Sequence, residues 1–357
     1  MTIHSEVIGS LLRPAYLLEA RRQVETGQIS AATFKALEDR AVDEAIGLQE
    51  VAGIEVITDG EMRRASFFGH LVDALEGFDP SGGRRLPMKD EEGGQFFAPT
   101  PVVVEKLKWR RSMCAEEWVY LRARRKGPLK VTLVSAQPYY DPQKSREAYP
   151  SYDAYLADVV EIARREVQEL RRLGCSYIQL DAPQYASLLD PDIRAALRQR
   201  GIDPDKSLDL QIACDNAIID AQPGVTFGLH ICRGNNQSKF YASGDYEPIA
   251  RVFRQTRFQR FLLEYDDPRS GGFEPLQHVP QDRFVVLGLV STKRPQLETA
   301  AQLRERIEQA ARFFPLEQLA LSPQCGFAST MEGNSLSPQD QQRKLKLVAQ
   351  VARQVWG

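Results

Sequence analysis

Eight short apolar runs, separated by stretches of helical periodicity, constrain this chain of 357 residues more than any other feature of it. The runs lie at Ser5–Ile8, Ile54–Ile57, Lys130–Val134, Cys175–Leu180, Val225–Ile231, Phe261–Glu264, Phe284–Val290 and Leu319–Leu321. A strand wet on one face would alternate apolar and polar residues. These runs do not, and read instead as strands covered on both faces, the mark of a parallel sheet. Helices fill the intervals. Ser30 caps a pattern that runs to Ala52 and stops at Gly53, and Tyr152–Leu173 is amphipathic and stops at Gly174. Further helical stretches are Ser207–Ala221, Tyr246–Thr256, Pro275–Val279, Leu297–Phe314 and Ser337–Val355. This alternation predicts an α/β fold, specifically a (β/α)8 TIM barrel. Gly77–Trp109, rich in Gly, Pro and charge, breaks the rhythm and is expected to be an irregular excursion from one barrel loop. No linker, repeat or low-complexity tract divides the chain, so residues 1–357 are expected to form a single domain.

Composition narrows the function classes. With 46 Lys and Arg against 48 Asp and Glu, the net charge is −2, without the basic excess that binding to a phosphate backbone requires; nucleic acid is not an expected partner. No apolar run is long enough to span a membrane or to act as a signal peptide, so a cytoplasmic protein is expected. Five scattered cysteines are too few for a disulfide framework and read as free thiols or metal ligands. Nothing in the pattern excludes a homo-oligomer.

In a barrel, chemistry sits where the strands end. Those positions carry Gly9-Ser10, Asp59 to Glu61, Asp181, His230 with Cys232, Glu264, Ser291 to Lys293, and Cys325. In extended chain, residues two apart share a side, so the imidazole of His230 and the thiol of Cys232 would converge while Ile231 packs the other way. Cys325 lies in a turn shaped by Pro323 and Gly326, two or three strands further round the ring. Each has a plainer explanation alone: a satisfied buried histidine, an inert cysteine, and for Glu264 a salt bridge with Arg269. Together, one imidazole, two thiolates and one carboxylate match the ligand chemistry of Zn2+. Such a set leaves zinc with a formal charge of about −1, a poor Lewis acid toward water but one able to hold a thiol of pKa about 8.5 as a nucleophilic thiolate. The chemistry implied is S-alkylation. Asp181 and Glu61 could grip an ammonium group, with a turn or cap and a pairing to Arg63 or Arg64 as their plainer roles. Gly9 could admit backbone amides to a ligand carboxylate. Lys293 is the candidate for a catalytic role, with a solvated side chain as the alternative.

The segments Ile8 to Pro14, Thr58 to Glu61, Tyr177 to Asp181, Gly228 to Cys232, Phe261 to Asp266 and Leu321 to Phe327 together resemble the cobalamin-independent methionine synthase superfamily, nearly end to end. They are most similar to its short single-barrel bacterial members. The resemblance implies zinc held by His230, Cys232, Glu264 and Cys325, and homocysteine held by Ile8, Gly9, Ser10, Glu61 and Asp181. It implies methyl transfer to the homocysteine thiolate, giving methionine, from 5-methyltetrahydrofolate or another methyl carrier. Two features depart from the long enzymes: Thr132 to Pro138 lacks their pterin-facing tryptophan, and Ser291-Thr292-Lys293 stands where they have a histidine proton donor. There is also no room for their additional N-terminal barrel. Two alternatives follow: alkylation of another thiol, as in epoxyalkane:coenzyme M transferase, or a zinc- and thiol-binding barrel without catalysis.

Overall fold

A computed structural model describes residues 3–357. Six of the expected runs form one parallel sheet. In chain order its strands follow four outside it: β1 (Leu75–Asp79), β2 (Arg85–Lys89), β3 (Gln95–Pro99) and β4 (Val102–Trp109) precede β5 (Val131–Val134), β6 (Tyr177–Asp181), β7 (Thr226–Ile231), β8 (Arg260–Glu264), β9 (Phe284–Val290) and β10 (Leu319–Pro323). The sheet order β5 to β10 is sequential, with every neighbour parallel. Each crossover therefore returns the chain to the same edge, and all six C-terminal ends face one way. Asp181 registers with His230, His230 with Leu262, and Glu264 with Gly288.

The expected eight-stranded barrel is not what the ladders show. They stop at six strands and close no ring. The first two runs appear only as single parallel bridges, Ser5 with Leu321, Glu6 with Val56, and Ile57 with Leu129. The reason is competition for backbone groups by side chains. The Glu55 carboxylate takes the amides of His4 and Ser5 at 2.6 and 2.7 Å, and the amide of Gln49 takes both the N–H and the C=O of Thr58 at 3.0 and 2.8 Å. The backbone bonds left to the two segments are isolated ones, such as Leu321 N to the His4 carbonyl at 2.8 Å and Ile57 N to the Pro128 carbonyl at 3.1 Å.

The helices follow the sequence where caps are strong. Ser30 accepts from Thr33 N and Gly53 adopts φ +84° at the two ends of Ala31–Ala52. Ser151 caps Tyr152–Arg172, and Ser337 closes a capping box on Pro338–Trp356. Three expectations shrink: Pro275–Val279 is a 3-10 turn at Glu274–His278, Tyr246–Thr256 splits into a 3-10 turn and the helix Arg251–Gln255, and Leu297–Phe314 is helical over Ala300–Ala310. No helix among the described residues is long and apolar enough to cross a membrane.

The excursion is regular rather than irregular. β1 pairs antiparallel with β4, and β2 with β3. Gly77, at φ +106°, marks a bulge where a Cβ would meet the Glu105 carbonyl at 2.7 Å. Asp90 makes the β2–β3 turn by accepting from Glu92 N and Gly94 N. That hairpin lies against the loop after β7, where Lys89 and Phe240 exchange backbone hydrogen bonds of 2.8 Å each way and Asp90 pairs with Lys239.

At the N-terminal ends of the strands lies a buried ion cluster. Glu6 is fully buried and accepts from Lys130 Nζ, from Tyr177 Oη at 2.9 Å and from Arg260 Nη2 at 2.9 Å. Lys130 Nζ also donates to the Val7 carbonyl at 2.7 Å. Above it Ile8, Leu262, Val286 and Ala320 pack into a small apolar cluster of their own. Breaking a buried pair by removing one partner strands the other charge, so Glu6→Gln is expected to lower stability by about 3–5 kcal/mol in urea titration. Replacing Glu6, Lys130 and Arg260 together by apolar residues of similar volume should recover most of that loss.

Candidate metal and thiol site

The C-terminal ends of the strands surround a cavity of about 70 Å3, lined by Ile8, Gly9, Ser10, Asp181, His230, Cys232 and Cys325 among others. Seven of the predicted site residues therefore meet at one place. His230, Cys232 and Cys325 form a cluster in which one donor atom from each lies within 4.8 Å of the others. His230 and Cys232 owe this to their spacing of two where β7 ends. Cys325 owes it to a turn that only glycine permits, since a Cβ on Gly326 would meet Ser10 N at 2.7 Å.

His230 is oriented by its backbone partner. Its Nδ1 donates to the Leu262 carbonyl at 3.1 Å, which leaves the lone pair on Nε2, and that atom is buried with no hydrogen-bond partner. A ring nitrogen held in this way is what a metal ligand requires. A hydrogen bond with Cys325 keeps the Cys232 thiol well below its ordinary range despite burial, with His230 adding to the effect. The same bond and burial push Cys325 well up. The donor set and its orphaned nitrogen fit zinc.

Glu264 is not part of that cluster. Its Oε1 takes Arg269 Nη2 at 2.7 Å with Lys293 Nζ at 3.3 Å, and its Oε2 takes the Arg233 amide at 2.6 Å. Although burial opposes its charge, Lys293, Arg269 and Arg233 hold it at about 2. Lys293 is thus committed to an ion pair rather than free in the cavity.

Glu61 stands behind Ser10, whose hydroxyl donates to its carboxylate, and it also accepts from Thr132 at 2.7 Å. Its φ of +55° is one that non-glycine residues rarely adopt, and it aims the carboxylate toward the strand ends. Burial, opposed by His230, pushes Asp181 up to about 7, while Gln179 Nε2 donates to it at 2.6 Å. Arg13 makes no approach to the cavity: it donates to the carbonyls of Ala328, Glu61 and Arg64. No Lys or Arg lines the cavity among the described residues.

Sequence reasoning missed Phe67, Asn235 and Ser329, which also line the cavity. Asn235 Nδ2 donates to the Gly326 carbonyl at 2.6 Å, tying the loop after β7 to the Cys325 turn. It also missed Arg233, fully buried, which binds the carbonyls of Gly244, Glu264 and Ser270. For Arg233 and Asn235 the signal was closeness to Cys232 in the Arg233-Gly234-Asn235 run; Phe67 and Ser329 had none. Of the other cysteines, Cys175 and Cys214 are buried, and Cys114 is buried beside Arg64.

Residues 3–353 match the family described as cobalamin-independent synthase, catalytic domain. The chain belongs to this family. The protein YxjH of Bacillus subtilis is 33% identical over 98% of this chain and 93% of its own length. Methionine synthase of Pyrococcus abyssi is 27% identical over 90% of this chain and 85% of its own. Among solved structures, a B12-independent methionine synthase from a Shewanella species, in complex with selenomethionine, superposes with a TM-score of 0.78 over 99% of this chain and 98% of that one, at 21% identity. That likeness establishes the α/β architecture of the cobalamin-independent synthase chain.

Asp59, next to this site, gives a pH test. Burial pushes its carboxyl from 3.8 to about 7, and its Oδ2 has no partner. Between those values the folded protein binds more protons here than the unfolded chain, so this group's contribution is intact below about pH 4 and lost as pH rises through about 7. Asp59→Asn is expected to flatten that decline by a few kcal/mol, read from urea midpoints at pH 5 and pH 8.

Proposed function

We propose that this chain is a zinc-dependent methyltransferase that moves a methyl group to the thiolate of homocysteine and so makes methionine. The observation that carries the reading is the unpartnered Nε2 of His230 with two cysteine sulfurs inside 4.8 Å, at the wall of a cavity that also receives Asp181. His230, Cys232 and Cys325 would hold the metal. When bound, zinc supplies a centre that keeps a thiol deprotonated at neutral pH without the need for a general base.

The remaining residues act on the substrate. Asp181 and Glu61 present negative charge where an amino-acid ammonium would sit, Ser10 fixes Glu61 by donating to it, and Ile8 and Gly9 form the wall beside the substrate chain. The sulfur lone pair attacks the methyl carbon, the bond to the donor breaks, and its electron pair leaves with the donor. A cavity with a carboxylate and no cation suits an ammonium-bearing thiol, whereas a sulfonate thiol would need the cations that Arg13 and Lys293 have committed elsewhere.

In this reading residues 1–357 act as one domain. The bridges at Ser5, Glu6 and Ile57, with Glu6 reaching Lys130, Tyr177 and Arg260, support a sheet that curls into a (β/α)8 ring. We assign the enzyme to the cytoplasm, where Cys232 and Cys325 stay reduced.

Purified protein is expected to contain one zinc per chain, and Cys232→Ala and Cys325→Ala to lose it. Homocysteine is expected to outcompete coenzyme M, with methionine formed from a methylfolate, methylcobalamin or S-methylmethionine. Full zinc retention in both variants would refute the site. Tight zinc and homocysteine binding without methionine from any donor would leave a binding protein.

A further inference from the structure

The two cysteines of the cluster come from different loops, and a pair of buried side-chain amides ties those loops together. Asn235 follows Cys232 on the loop after β7, and its Nδ2 donates at 2.6 Å to the carbonyl of Gly326, the residue next to Cys325. A closed circuit results: the chain runs from Cys232 to Asn235, a hydrogen bond crosses to Gly326, one peptide step leads to Cys325, and the sulfurs meet. Asn235 is itself held. Its Oδ1 accepts from Asn334 Nδ2 at 2.9 Å, and its remaining amide proton faces Ser329 Oγ at 3.3 Å. Asn334, also buried, gives its other proton to the Thr292 carbonyl at 2.8 Å, just past β9, and accepts the Ser238 amide at 2.8 Å. Thr292 Oγ1 in turn takes Gln324 Nε2 at 2.8 Å, immediately before Cys325. All the N–H groups of the two asparagine amides are thus committed within the protein, and the loops after β7, β9 and β10 are joined through them.

We propose that Asn235, locked by Asn334, is a positioning residue that sets how far the Cys325 sulfur stands from Cys232 and His230. On the opposite side the Cys325 turn is anchored by Phe327 N donating to the Ser10 carbonyl at 2.7 Å, so the Asn235 bond decides its distance from β7. Without that amide the Gly326 carbonyl loses its side-chain donor in a buried place, and the turn is free to relax away from the other two groups. The consequence for zinc rests on the metal reading above; the consequence for the two sulfurs needs no metal.

Two readouts on the full chain test this. One is zinc affinity by chelator competition. The other, on metal-free protein, is the rate at which dibromobimane, which fluoresces once both of its arms have taken a thiol, bridges Cys232 and Cys325; Cys325→Ala supplies the blank. Asn235→Ala is expected to weaken zinc by about 10- to 100-fold, the usual cost of losing a group that orients a ligand, and to slow the bridging several-fold. Asn334→Ala should act in the same direction, and the double variant should be no worse than Asn235→Ala, because one residue works through the other. Thr330→Val is the control: it removes a different bond between the same loops, Thr330 Oγ1 to Asn236 at 3.2 Å, and should leave both readouts unchanged. Unaltered zinc affinity and bridging in the asparagine variants would overturn the proposal. An equal effect of Thr330→Val would overturn it too, since any tie between the loops would then suffice. Should Asn235→Ala fail to fold, Asn334→Ala decides by the same two readouts. If wild type binds no zinc while the asparagine variants still slow the bridging, the metal reading fails and the role of Asn235 is upheld.

Discussion

The carboxylate of Glu6, buried without solvent, is the constraint on which the arrangement depends. It sits on a segment that joins its neighbours only through single bridges, and it is held by groups just before β5, on β6 and on β8. Charge-assisted bonds inside a protein are directional and expensive to leave unmade. They fix the height and rotation of the first segment where a backbone ladder does not. Ile8, Gly9 and Ser10 follow within four residues and so arrive at the opposite end in a set position, where Gly9 and Ser10 face the Cys325 turn. The polar end of the sheet thereby orders the reactive end.

Much of this was legible because strand ends were legible. The apolar runs located six strands to within a few residues, and reading the polar residue after each run picked out His230, Cys232, Asp181 and Cys325 before any geometry was known. What the sequence hid were contests between side chain and backbone. Glu55 reads as part of the second run and Gln49 as an ordinary residue near a helix end, but each captures main-chain groups at or beside the first two runs. The excursion was misread for a related reason. Its glycines and prolines mark a bulge and turns within antiparallel pairs, and the alternation in β4 is partly masked by the exposed charges of Glu105, Lys106 and Lys108.

The fate of Glu264 was the least readable. Its position after an apolar run suggested a ligand, and its neighbour five residues on, Arg269, suggested a salt bridge. Only the fold shows that Lys293, from the end of the next strand, joins the same oxygen. Residue type and spacing do not show how many cations the topology delivers to one carboxylate.

The β2–β3 hairpin reaches the same carboxylate from outside. Its strand shares backbone bonds with Phe240, its turn brings Glu91 near Arg269, and Phe240 and Arg269 are stacked on each other. An insertion that looks peripheral is therefore mechanically continuous with the electrostatics beside the thiols. Changes in its length or charge offer a route by which a chain of this kind can retune its sulfur chemistry while every residue that touches the reacting atoms stays the same.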